Sequence, residues 1–516
     1  MPLPVLTPAQ AAAWDAASEA AGLATAVLMA SAGRALATVI ADRFPAGCRQ
    51  GVLVAAGTGN NGGDGWVLAR ALHAVGIPVW VAAVPGTLSA LNAAAAGQAR
   101  ADGVREVSPD GPWPAAGLLV DALLGTGARG APRPPVAGLV ERLADLDLPL
   151  VAVDGPTGLD LADGVSHGPL QARLTITFGG YRRGHLLARD ECGDLVVADI
   201  GLAPPDPGWP VLLTREAADQ LLPPIPARAH KGTRGRVVIV GGDAGMSGAA
   251  RLAGRAAFAA GAGLVHVIAP AGSVDLIAGA EPDLQTLAHS FDEPFGPEAL
   301  ALLARADGVV MGPGLGRSET RRARVLEVAT AAAALVLDAD GLTAMAGDLD
   351  SLVSRMRGKS LVLTPHLGEF RALFPALAAE AAVDPWGAAE AAAAATGATV
   401  LLKGVPSVVA TVGRATWTVA AGNPGLATGG SGDCLAGFLG TFLAQGLGAR
   451  DAAGLAAQVL GDAADLAARR EGVRALRPMD VVAALPALWR ESELRRTLGP
   501  ALRPPILHEL PLPRPR

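Results

Sequence analysis

Short apolar runs followed by glycine-rich turns and then by helical stretches recur along the chain, and this alternation limits its possible folds most strongly. Such alternation is typical of right-handed βαβ units on a largely parallel sheet. We therefore expect an α/β protein whose ligands gather at the carboxyl ends of the strands. In the first part of the chain, strands are predicted at 52–56, 79–84, 118–121, 150–154, 174–178 and 195–200, with helices at about 8–43, 65–76, 88–101 and 136–146.

The alternation restarts at residues 235–270, which again read as strand, glycine turn, helix and strand. Because 516 residues are too many for one core, we expect two domains of roughly 200–250 residues. Prolines concentrate in 201–232, which places the junction there. Further strands are predicted at 308–311, 335–338, 360–364, 399–403 and 407–412. The predicted organisation is an N-terminal domain at 1–212, a linker at 213–228, a C-terminal domain at 229–490 and a frayed proline-rich tail at 491–516.

Composition excludes several classes of protein. The formal net charge of −6 argues against binding a nucleic-acid backbone. Three widely spaced cysteines form no zinc-type pair and indicate a reducing compartment. The first 20 residues lack a basic segment followed by an apolar one, and the alanine tracts are broken by Gly, Asp and Arg, so neither a signal peptide nor a membrane span is predicted. We expect a cytoplasmic enzyme.

The segment "VLVAAGTGNNGGDGWVLARAL", residues 52–72, is unusual in how many glycines and polar residues separate a strand from the next helix. Glycines permit positive φ and let backbone N–H groups approach a ligand, and a helix N-terminus suits a phosphate. Glycines alone are also common in tight strand-to-helix turns. Two carboxamides and a carboxylate on the same turn, however, can hold a ribose, an amide or a cation.

Four turns of the second domain carry chemistry-bearing residues. Lys403 stands at a strand end, where an ammonium group meets phosphates, and His366 and Glu369 are three residues apart after another strand. Asp433 falls in the first turn of a predicted helix, behind a run of glycines. Taken singly, these residues are also compatible with a solvated lysine, a loop histidine and a helix cap. The four turns are "MGPGLG" (311–316), "TPHLGEF" (364–370), "LLKGVPSVV" (401–409) and "GNPGLATGGSGDCLAGFLG" (422–440).

Together, these turns favour a phosphoryl-transfer site. A helix N-terminus stabilises the charge that accumulates on the oxygens of a transferring phosphoryl group. A carboxylate beside it can take the proton from an attacking hydroxyl.

Motifs in both halves of the chain resemble those of known families. The second domain is similar to the ribokinase-like ADP/ATP-dependent NAD(P)H-hydrate dehydratases, through "HKGTRGRVVIVGG", "GPGLG", "TPHLGE" and "GNPGLATGGSGDCLAG". The first resembles the NAD(P)H-hydrate epimerases, through "GTGNNGGDG", "DALLGTG" and "VDGPTGLD". The resemblance covers nearly all of residues 5–490. It implies a Rossmann-like parallel α/β sandwich followed by a ribokinase-like α/β domain, in the domain order of bifunctional nicotinamide nucleotide repair enzymes.

For the first domain, the resemblance implies interconversion of the R and S epimers of hydrated NADH and NADPH, the compounds NADHX and NADPHX. Asp154 matches a substrate-contacting carboxylate suited to acid/base work. Asn61, Asp121 and Thr157 match potassium ligands, and all three offer the oxygens that a hard cation prefers. The implied NAD(P)HX-binding residues are Asn60, Asn61, Gly62, Gly63 and Asp64, then Gly125, Thr126, Gly127, Ala128, Arg129, Gly130 and Ala131, and finally Asp154 and Arg182.

Arg182 departs from the family pattern, because relatives commonly carry a lysine at this place. Arginine keeps the charge but cannot deprotonate. A role as a proton carrier is therefore in doubt for Arg182, whereas a role in holding charge is not.

For the second domain, the resemblance implies phosphorylation of the C6 hydroxyl of the S epimer by ADP or ATP, followed by loss of phosphate. Asp433 matches the catalytic base, and the amides of 430–432 match an anion hole. Glu369 matches a residue that organises Mg²⁺ through water in related kinases. The implied NAD(P)HX contacts are Ala249, Gly314, His366 and Asp433, and the implied nucleotide contacts are Lys403, Gly404, Val405, Pro406, Ser407 and Gly432.

Two rival functions stay open on the residues. A small-molecule kinase acting on a vitamin would share the fold and the Gly-x-Gly-Asp turn of the second domain, and the first domain could be a nucleotide-binding regulatory module. An epimerase-like domain upstream argues against the kinase, and the complete polar set of that domain argues against a module. The predicted partners are the small molecules NADHX, NADPHX and ADP or ATP, with no nucleic acid and no membrane, and a homo-oligomer is expected.

Overall fold

The computed structural model describes residues 3–498 and 507–512, which fall into two compact units. The first unit contains residues 3–209 and 507–512, and the second contains residues 210–498. The stretch 213–228, predicted as a linker from its prolines, therefore lies in the second unit, and part of it is helical.

Strands and helices alternate in the first unit as the sequence predicts. The predicted helix at 8–43 is divided into two by a break at Ala21–Ala24, where Gly22 takes a φ of +95°. The strands are β1 (Leu3–Leu6), β2 (Val52–Ala56), β3 (Val79–Ala83), β4 (Arg105–Val107), β5 (Leu118–Ala122), β6 (Leu150–Val153), β7 (Leu174–Phe178), β8 (Tyr181–Arg182) and β9 (Asp194–Ala198). The helices are α1 (Pro8–Ala20), α2 (Thr25–Arg43), α3 (Pro45–Gln50), α4 (Asn60–Ala74), α5 (Ala90–Ala101), α6 (Val136–Ala144), α7 (Arg183–Leu187) and α8 (Arg189–Cys192).

The main sheet of this unit is buried on both faces. Its parallel strands run in the order β9-β7-β6-β5-β2-β3-β4. Along β2, Val52 and Val54 pack into one apolar core and Leu53 and Ala55 into another, because successive side chains point to opposite faces. The predicted Rossmann-like α/β sandwich is confirmed. The strand order reverses between β2 and β5, which is where such sheets bind ligands.

The glycine-rich stretch after β2 differs from its prediction. We expected a turn before a helix at about residue 65, but α4 already begins at Asn60. None of its glycines has a positive φ. They are required by close packing instead, since a Cβ at Gly57 would lie 1.9 Å from the carbonyl oxygen of Leu123, and one at Gly62 would lie 2.0 Å from that of Gly57. The glycines therefore bring the start of α4 against the end of β5.

The second unit also has a central sheet covered by helices. Its strands are β10 (Val211–Leu212), β11 (Arg236–Val240), β12 (Leu264–Ala269), β13 (Gln285–Ala288), β14 (Gly308–Met311), β15 (Ala334–Leu337), β16 (Ser360–Leu363), β17 (Thr399–Leu402), β18 (Ser407–Thr411) and β19 (Arg414–Val419). Its helices are α9 (Arg215–Leu221), α10 (Ser247–Ala259), α11 (Ala271–Ala280), α12 (Pro297–Ala304), α13 (Thr320–Ala331), α14 (Ala339–Ala344), α15 (Leu349–Arg355), α16 (Leu367–Leu373), α17 (Glu380–Val383), α18 (Pro385–Thr396), α19 (Ser431–Ala444), α20 (Ala449–Glu471) and α21 (Pro478–Leu498). Short 3₁₀ turns lie at Pro375–Leu377, Pro424–Leu426 and Val473–Ala475.

The strand order in this unit is β13-β12-β11-β14-β15-β16-β17-β18-β19-β10. Pairing is parallel from β13 to β17, and β18 is antiparallel to both its neighbours. The predicted second α/β domain is confirmed. Consecutive parallel strands place the turns after β14, β15, β16 and β17 at one edge of the sheet.

The predicted frayed tail, 491–516, contains regular structure. Helix α21 continues to Leu498, and strand β20 (Leu507–Leu510) pairs antiparallel with β9 of the first unit. Glu509 on this strand forms an ion pair with Arg43. Residues 499–506 and 513–516 of the tail lie outside the described residues.

Helix α2 is long and apolar enough to span a membrane by length and composition, with a mean hydropathy of 1.3, so the absence of a membrane span stays a prediction. Its apolar residues include Leu36 and Ile40, which pack into a core of the first unit. Helices buried in the core of soluble proteins pass the same test.

Candidate active sites

In the first unit, predicted site residues from three separate strand ends come together. Asn61 lies in the first turn of α4, after β2, and Asp154 follows β6 directly. The loop after β5 passes between them, since a Cβ at Gly125 would lie 3.2 Å from the Asp154 Oδ2 atom and 3.3 Å from the Asn61 Cβ atom. The two predicted substrate loops and Asp154 therefore line one place at the carboxyl edge of the sheet.

Asp154 is held in a strained conformation. Its φ is +63°, in the left-handed region, which costs a non-glycine residue about 1–3 kcal/mol. Its carboxylate is buried and accepts hydrogen bonds from Thr126 N at 2.7 Å, from the Thr126 hydroxyl and from Thr177 Oγ1 at 2.9 Å. Residues kept under such strain cluster at functional sites.

Arg182 is the charge partner of Asp154. Its Nη2 atom lies 3.5 Å from Asp154 Oδ1, and its Nε donates to Thr126 Oγ1 at 3.0 Å. A further hydrogen bond to Gly180 O at 2.8 Å fixes the guanidinium. Burial alone would raise the pKa of Asp154, but Arg182 and the Thr126 donors outweigh it, so its pKa is lowered. Asp154 is therefore an ionised carboxylate at neutral pH, held by Arg182 and the Thr126 donors.

The negative charge of Asp154 contributes to raising the pKa values of two further carboxyl groups. Burial, with the negative charges of Asp154 and Asp15, raises the pKa of Asp64 well above its ordinary value. The pKa of Asp15 is also raised, chiefly by burial. The sequence reasoning missed Asp15, which lies on α1, outside the glycine motifs. The site thus combines an ionised carboxylate with carboxyl groups that hold their protons to higher pH, as acid/base pairs require.

The three predicted potassium ligands also lie at this edge. Thr157 donates to both oxygens of Asp121, from Oγ1 at 2.8 Å and from N at 2.7 Å. Asp121 is fully buried, and burial raises its pKa to about 6 despite these hydrogen bonds. The Asn61 amide nitrogen is buried without a hydrogen-bond partner among the described residues. Because amide oxygen and nitrogen exchange places on rotation of the group, an oxygen of Asn61 can occupy that position. The donor set therefore suits a hard cation.

Not all predicted residues of the first unit converge on Asp154. Asn60 accepts a hydrogen bond from Ser89 Oγ at 2.8 Å, and Arg129 pairs with Asp160 at 3.0 Å. The hydrogen bonds of residues 3–498 and 507–512 include none from Asn60 or Arg129 to Asp154. These two residues therefore lie at the border of the site and not at its centre.

In the second unit, the turn after β14 contacts the start of α10. Gly314 has a φ of +58°, and a Cβ there would lie 3.1 Å from the Ala249 Cβ atom. The predicted NAD(P)HX contacts Ala249 and Gly314 are therefore neighbours. Leu252, one turn along α10, packs near Gly430 at the start of α19.

Lys403 lies at the centre of a cluster of carboxylates. Its Nζ is 2.7 Å from Asp338 Oδ1 and 3.6 Å from Glu369 Oε2. Burial disfavours the charge on Lys403, but Asp338, Glu369 and Asp433 outweigh it and raise its pKa. Lys403 is therefore a fixed cation. A Cβ at Gly432 would lie 3.6 Å from its Nζ, so the ammonium faces the start of α19.

Asp338 is a site residue that the sequence reasoning missed. It follows β15, is 2% exposed, and accepts a hydrogen bond from Thr364 Oγ1 at 2.9 Å as well as the contact from Lys403. The pattern that marked Asp121 and Asp154, an acidic residue at the end of an apolar strand, also fits "LVLDAD" and is the signal that would have found it.

Asp433 lies in the first turn of α19, behind Gly430, whose φ is +99°. The N-cap of this helix is Gly430 and Asp433 is its third residue, so Asp433 is not the N-cap residue. Burial, the nearby Asp338 and, to a smaller extent, Asp340 raise the pKa of Asp433 to about 7, although Lys403 opposes them. A carboxylate with a pKa near neutrality is suited to general-base catalysis.

His366 and Glu369 form a capping box at the start of α16. His366 Nδ1 accepts from Gly368 N at 3.0 Å, and Glu369 Oε2 accepts from His366 N at 2.8 Å. The exposed ring of His366 keeps its Nε2 atom free of the cap and 3.4 Å from Glu369 Oε1. Of the remaining predicted nucleotide residues, Gly404 and Val405 are exposed in the turn between β17 and β18, and Ser407 Oγ donates to Gly404 O at 3.2 Å across it.

Comparison with known proteins identifies the same two parts. A family model described as YjeF-related protein N-terminus matches residues 25–184, and one described as NAD(P)H-hydrate dehydratase matches residues 237–487. An ADP/ATP-dependent NAD(P)H-hydrate dehydratase from Bacillus subtilis, co-crystallised with ATP and Mg²⁺, is 26% identical with a TM-score of 0.47, covering 55% of this chain and 98% of its own.

Two curated relatives match over most of the chain. The bifunctional NAD(P)H-hydrate repair enzyme Nnr of Escherichia coli strain K12 is 37% identical over 478 residues, which cover 91% of this chain and 90% of that protein. The enzyme of the same name from Coxiella burnetii is 34% identical over 474 residues, which cover 89% and 94%. The chain belongs to the family of bifunctional NAD(P)H-hydrate repair enzymes.

Proposed function

We propose that the first unit interconverts the R and S epimers of NADHX and NADPHX, and that the second unit uses ADP or ATP to dehydrate the S epimer. The observation that supports this best is the presence of two separate polar sites, each at the carboxyl edge of its own sheet, in a chain whose relatives are bifunctional along nearly their whole length. If the chain were a vitamin kinase, the polar site of the first unit would have no role in its reaction.

In the second unit, Asp433 takes the proton from the C6 hydroxyl, whose oxygen attacks the terminal phosphoryl group of the nucleotide. The backbone amides of 430–432, at the N-terminus of α19, face the charge that develops on the transferring phosphoryl oxygens. Lys403 supplies a fixed positive charge beside them. Loss of the phosphate from C6 and of a proton from C5 then forms the C5–C6 double bond and restores the dihydronicotinamide ring. Ala249, Gly314 and His366 hold NAD(P)HX, and Lys403–Ser407 with Gly432 hold the adenine nucleotide.

Mg²⁺ is proposed to accompany the nucleotide. Mg²⁺ is usually held by one or two carboxylates together with substrate phosphates and water. Glu369 and Asp338 supply such oxygens beside Lys403, so the residues fit this arrangement. Glu369 is engaged in the capping box, which suits contact through water rather than direct coordination. The ion would neutralise phosphate charge during transfer.

Replacement of Asp338 by Asn is predicted to move the pH dependence of dehydration to lower pH. Burial and the negative charge of Asp338 raise the pKa of Asp433 to about 7, and Asp338 also neutralises Lys403. Without it, Asp433 ionises more easily and the rising limb of kcat begins at lower pH, while the weaker base lowers the plateau. The measurement is kcat of dehydration against pH. Asp340→Asn is the matched control, since Asp340 contributes least to this pKa. An unmoved limb in Asp338→Asn would contradict the assignment of that limb to Asp433.

In the first unit, Asp154 is proposed to move the proton and Arg182 to hold negative charge on substrate phosphate or on the reacting ring. The lowered pKa of Asp154 keeps it ionised, and the guanidinium stays protonated throughout the working range. The residues 60–64 and 125–131 would bind the dinucleotide around this pair. The raised pKa of Asp64 lets this carboxyl group of the first loop hold a proton to higher pH than an ordinary aspartate.

Potassium is proposed to bind Asn61, Asp121 and Thr157. The fit is supported by the buried Asp121 carboxylate and by the orphaned amide of Asn61. The ion would supply the positive charge that Asp121 lacks and would tie three strand-end turns together.

Exchange of potassium for a bulky organic cation, such as tetramethylammonium, is predicted to slow epimerisation or to weaken NAD(P)HX binding, with a smaller effect on dehydration. The melting temperature should fall at the same time, because a ligand that binds the folded state stabilises it. Thr157→Val should reduce both responses to potassium. If epimerisation and the melting temperature are the same in the two salts, potassium is not part of this site.

A single assay tests the whole proposal. A mixture of R and S NADHX is incubated with Mg²⁺ and ADP or ATP, and the return of NADH absorbance is followed. Full recovery indicates both activities, about half indicates dehydration only, and no recovery contradicts the proposal.

The surroundings of the enzyme are also part of the proposal. We place it in the cytoplasm, where its substrates form, as a homo-oligomer that acts on small molecules only. The three cysteines are free and buried, as a reducing compartment permits. Size-exclusion chromatography with light scattering would test the oligomeric state.

A further inference from the structure

His185 is a fully buried histidine to which the motifs assign no role. It lies on α7, three residues after Arg182. Its Nδ1 atom accepts a hydrogen bond from the backbone N of Arg182 at 3.0 Å, and its Nε2 atom lies 2.6 Å from the backbone carbonyl oxygen of Asp154. One imidazole therefore connects the main chains of the two residues at the centre of the first site.

These contacts fix the protonation state of the ring. Because Nδ1 accepts from an N–H group, it carries no proton, so the proton of the neutral imidazole lies on Nε2 and is donated to Asp154. Burial, together with the positive charges of Arg182 and Arg189, lowers the pKa of His185 to about 4, although Asp154 opposes this. The ring keeps both hydrogen bonds throughout the neutral range.

The main chain of Asp154 depends on such support because its φ is +63°. Its N–H donates to Ile176 O at 2.8 Å in the neighbouring strand, and its carbonyl receives the Nε2 proton of His185. The orientation of these two peptide groups decides where the Asp154 carboxylate points. On the other side of the ring, the contact to Arg182 N fixes the residue from which the guanidinium extends.

We propose that His185 is a positioning residue of the epimerase site, which sets the main chains of Asp154 and Arg182 so that carboxylate and guanidinium face the substrate together. It acts through these two residues and does not touch the substrate. The inference rests on the proposed epimerase function. The contact to Arg182 N closes the capping box of α7, whereas the contact to the Asp154 carbonyl joins that helix to the end of β6.

Two amide substitutions separate the two contacts. In His185→Asn the side-chain oxygen takes the place of Nδ1, so the contact to Arg182 is kept and that to Asp154 is lost. In His185→Gln the amide NH₂ group takes the place of Nε2, so the contact to Asp154 is kept and that to Arg182 is lost. We expect His185→Asn to lower kcat of epimerisation by on the order of 10- to 100-fold with little change in KM, as small misplacements of catalytic groups do. We expect His185→Gln to act mainly by raising KM.

Thr175→Val is the matched control. Thr175 is equally buried in the same unit and donates one hydrogen bond, from Oγ1 to Cys192 O at 2.7 Å, without touching Asp154 or Arg182. Rates are normalised to folded protein from melting curves and from dehydration by the same chains. The control should keep both kinetic constants of the wild type.

The outcomes distinguish the inference from the function on which it rests. Opposite kcat and KM effects in the two amide variants support a positioning role. Equal effects in both, or wild-type constants in folded His185→Asn, overturn the inference while leaving the epimerase function in place. A wild-type chain that dehydrates S-NADHX but never epimerises overturns both.

Discussion

Asp433→Asn is expected to lower the rate of ADP- or ATP-dependent dehydration by on the order of 10²–10⁴, the usual cost of removing a general base. An amide cannot take the proton from the C6 hydroxyl, whereas the glycine turn and the N-terminus of α19 are left intact. The raised pKa of Asp433, about 7, makes this carboxylate well matched to the task. The measurement is single-turnover formation of NADH from S-NADHX.

Epimerisation by the same variant is the internal control, because its site belongs to the other unit. It should keep the wild-type rate. The limb of the dehydration profile near pH 7 should also disappear in Asp433→Asn. Equal loss of both activities in a variant that melts like the wild type would contradict the assignment of two independent sites.

Asp154→Asn should have the largest effect on epimerisation, again on the order of 10²–10⁴ in kcat, with little change in KM. The substitution removes the ionised group that Arg182 and the Thr126 donors stabilise. Because the pKa of Asp154 is lowered, the wild-type rate should stay level down to pH values below the ordinary range of an aspartate and then fall as the carboxylate becomes protonated. The measurement is the interconversion of purified epimers followed by chromatography, as a function of pH.

Substitution of Arg182 provides the matched comparison. Arg182→Lys keeps the charge and should retain much of the epimerase activity, whereas Arg182→Ala should lose activity chiefly through a raised KM. A guanidinium does not titrate in the working range, so no lysine-like basic limb is expected in the wild type. A basic limb that vanishes only in Arg182→Ala would show that Arg182, rather than Asp154, takes part in the proton transfer.

The strand ends were predictable from the sequence, because apolar runs of four to six residues followed by glycine and acidic residues have few alternatives in an α/β chain. For this reason Asp121, Asp154 and Lys403 stand where the pattern placed them, at the carboxyl ends of β5, β6 and β17. The start of α4 was not predictable. Glycine composition favours a turn, and only close contacts with residues distant in sequence, those of Gly63 with Met29 and of Gly65 with Ala122, show why glycines are inside a helix.

Contacts between distant residues were the other part that the sequence could not supply. His185 touches Asp154 from 31 positions away, and Lys403 touches Asp338 from 65 positions away. Neither pair follows from spacing, since both depend on how neighbouring strands are registered. Asp338 was within reach of the strand-end pattern, but His185 was not, because a histidine on a short helix is ordinarily a packing residue.

Strand β20 matters for how the first unit behaves in concentrated solution. An uncovered edge strand presents a row of unpaired N–H and C=O groups on which another chain can pair, which is how many sheets aggregate. Here β9, with its apolar Leu195, Val196 and Val197, would be such an edge if Leu507–Leu510 were absent. Arg189 closes the arrangement by donating to the carbonyl oxygens of Leu510 and Pro511. Residues 507–511 thus cover this edge, and removing them to shorten the protein for crystallisation would leave the N–H and C=O groups of β9 open to pairing with another chain.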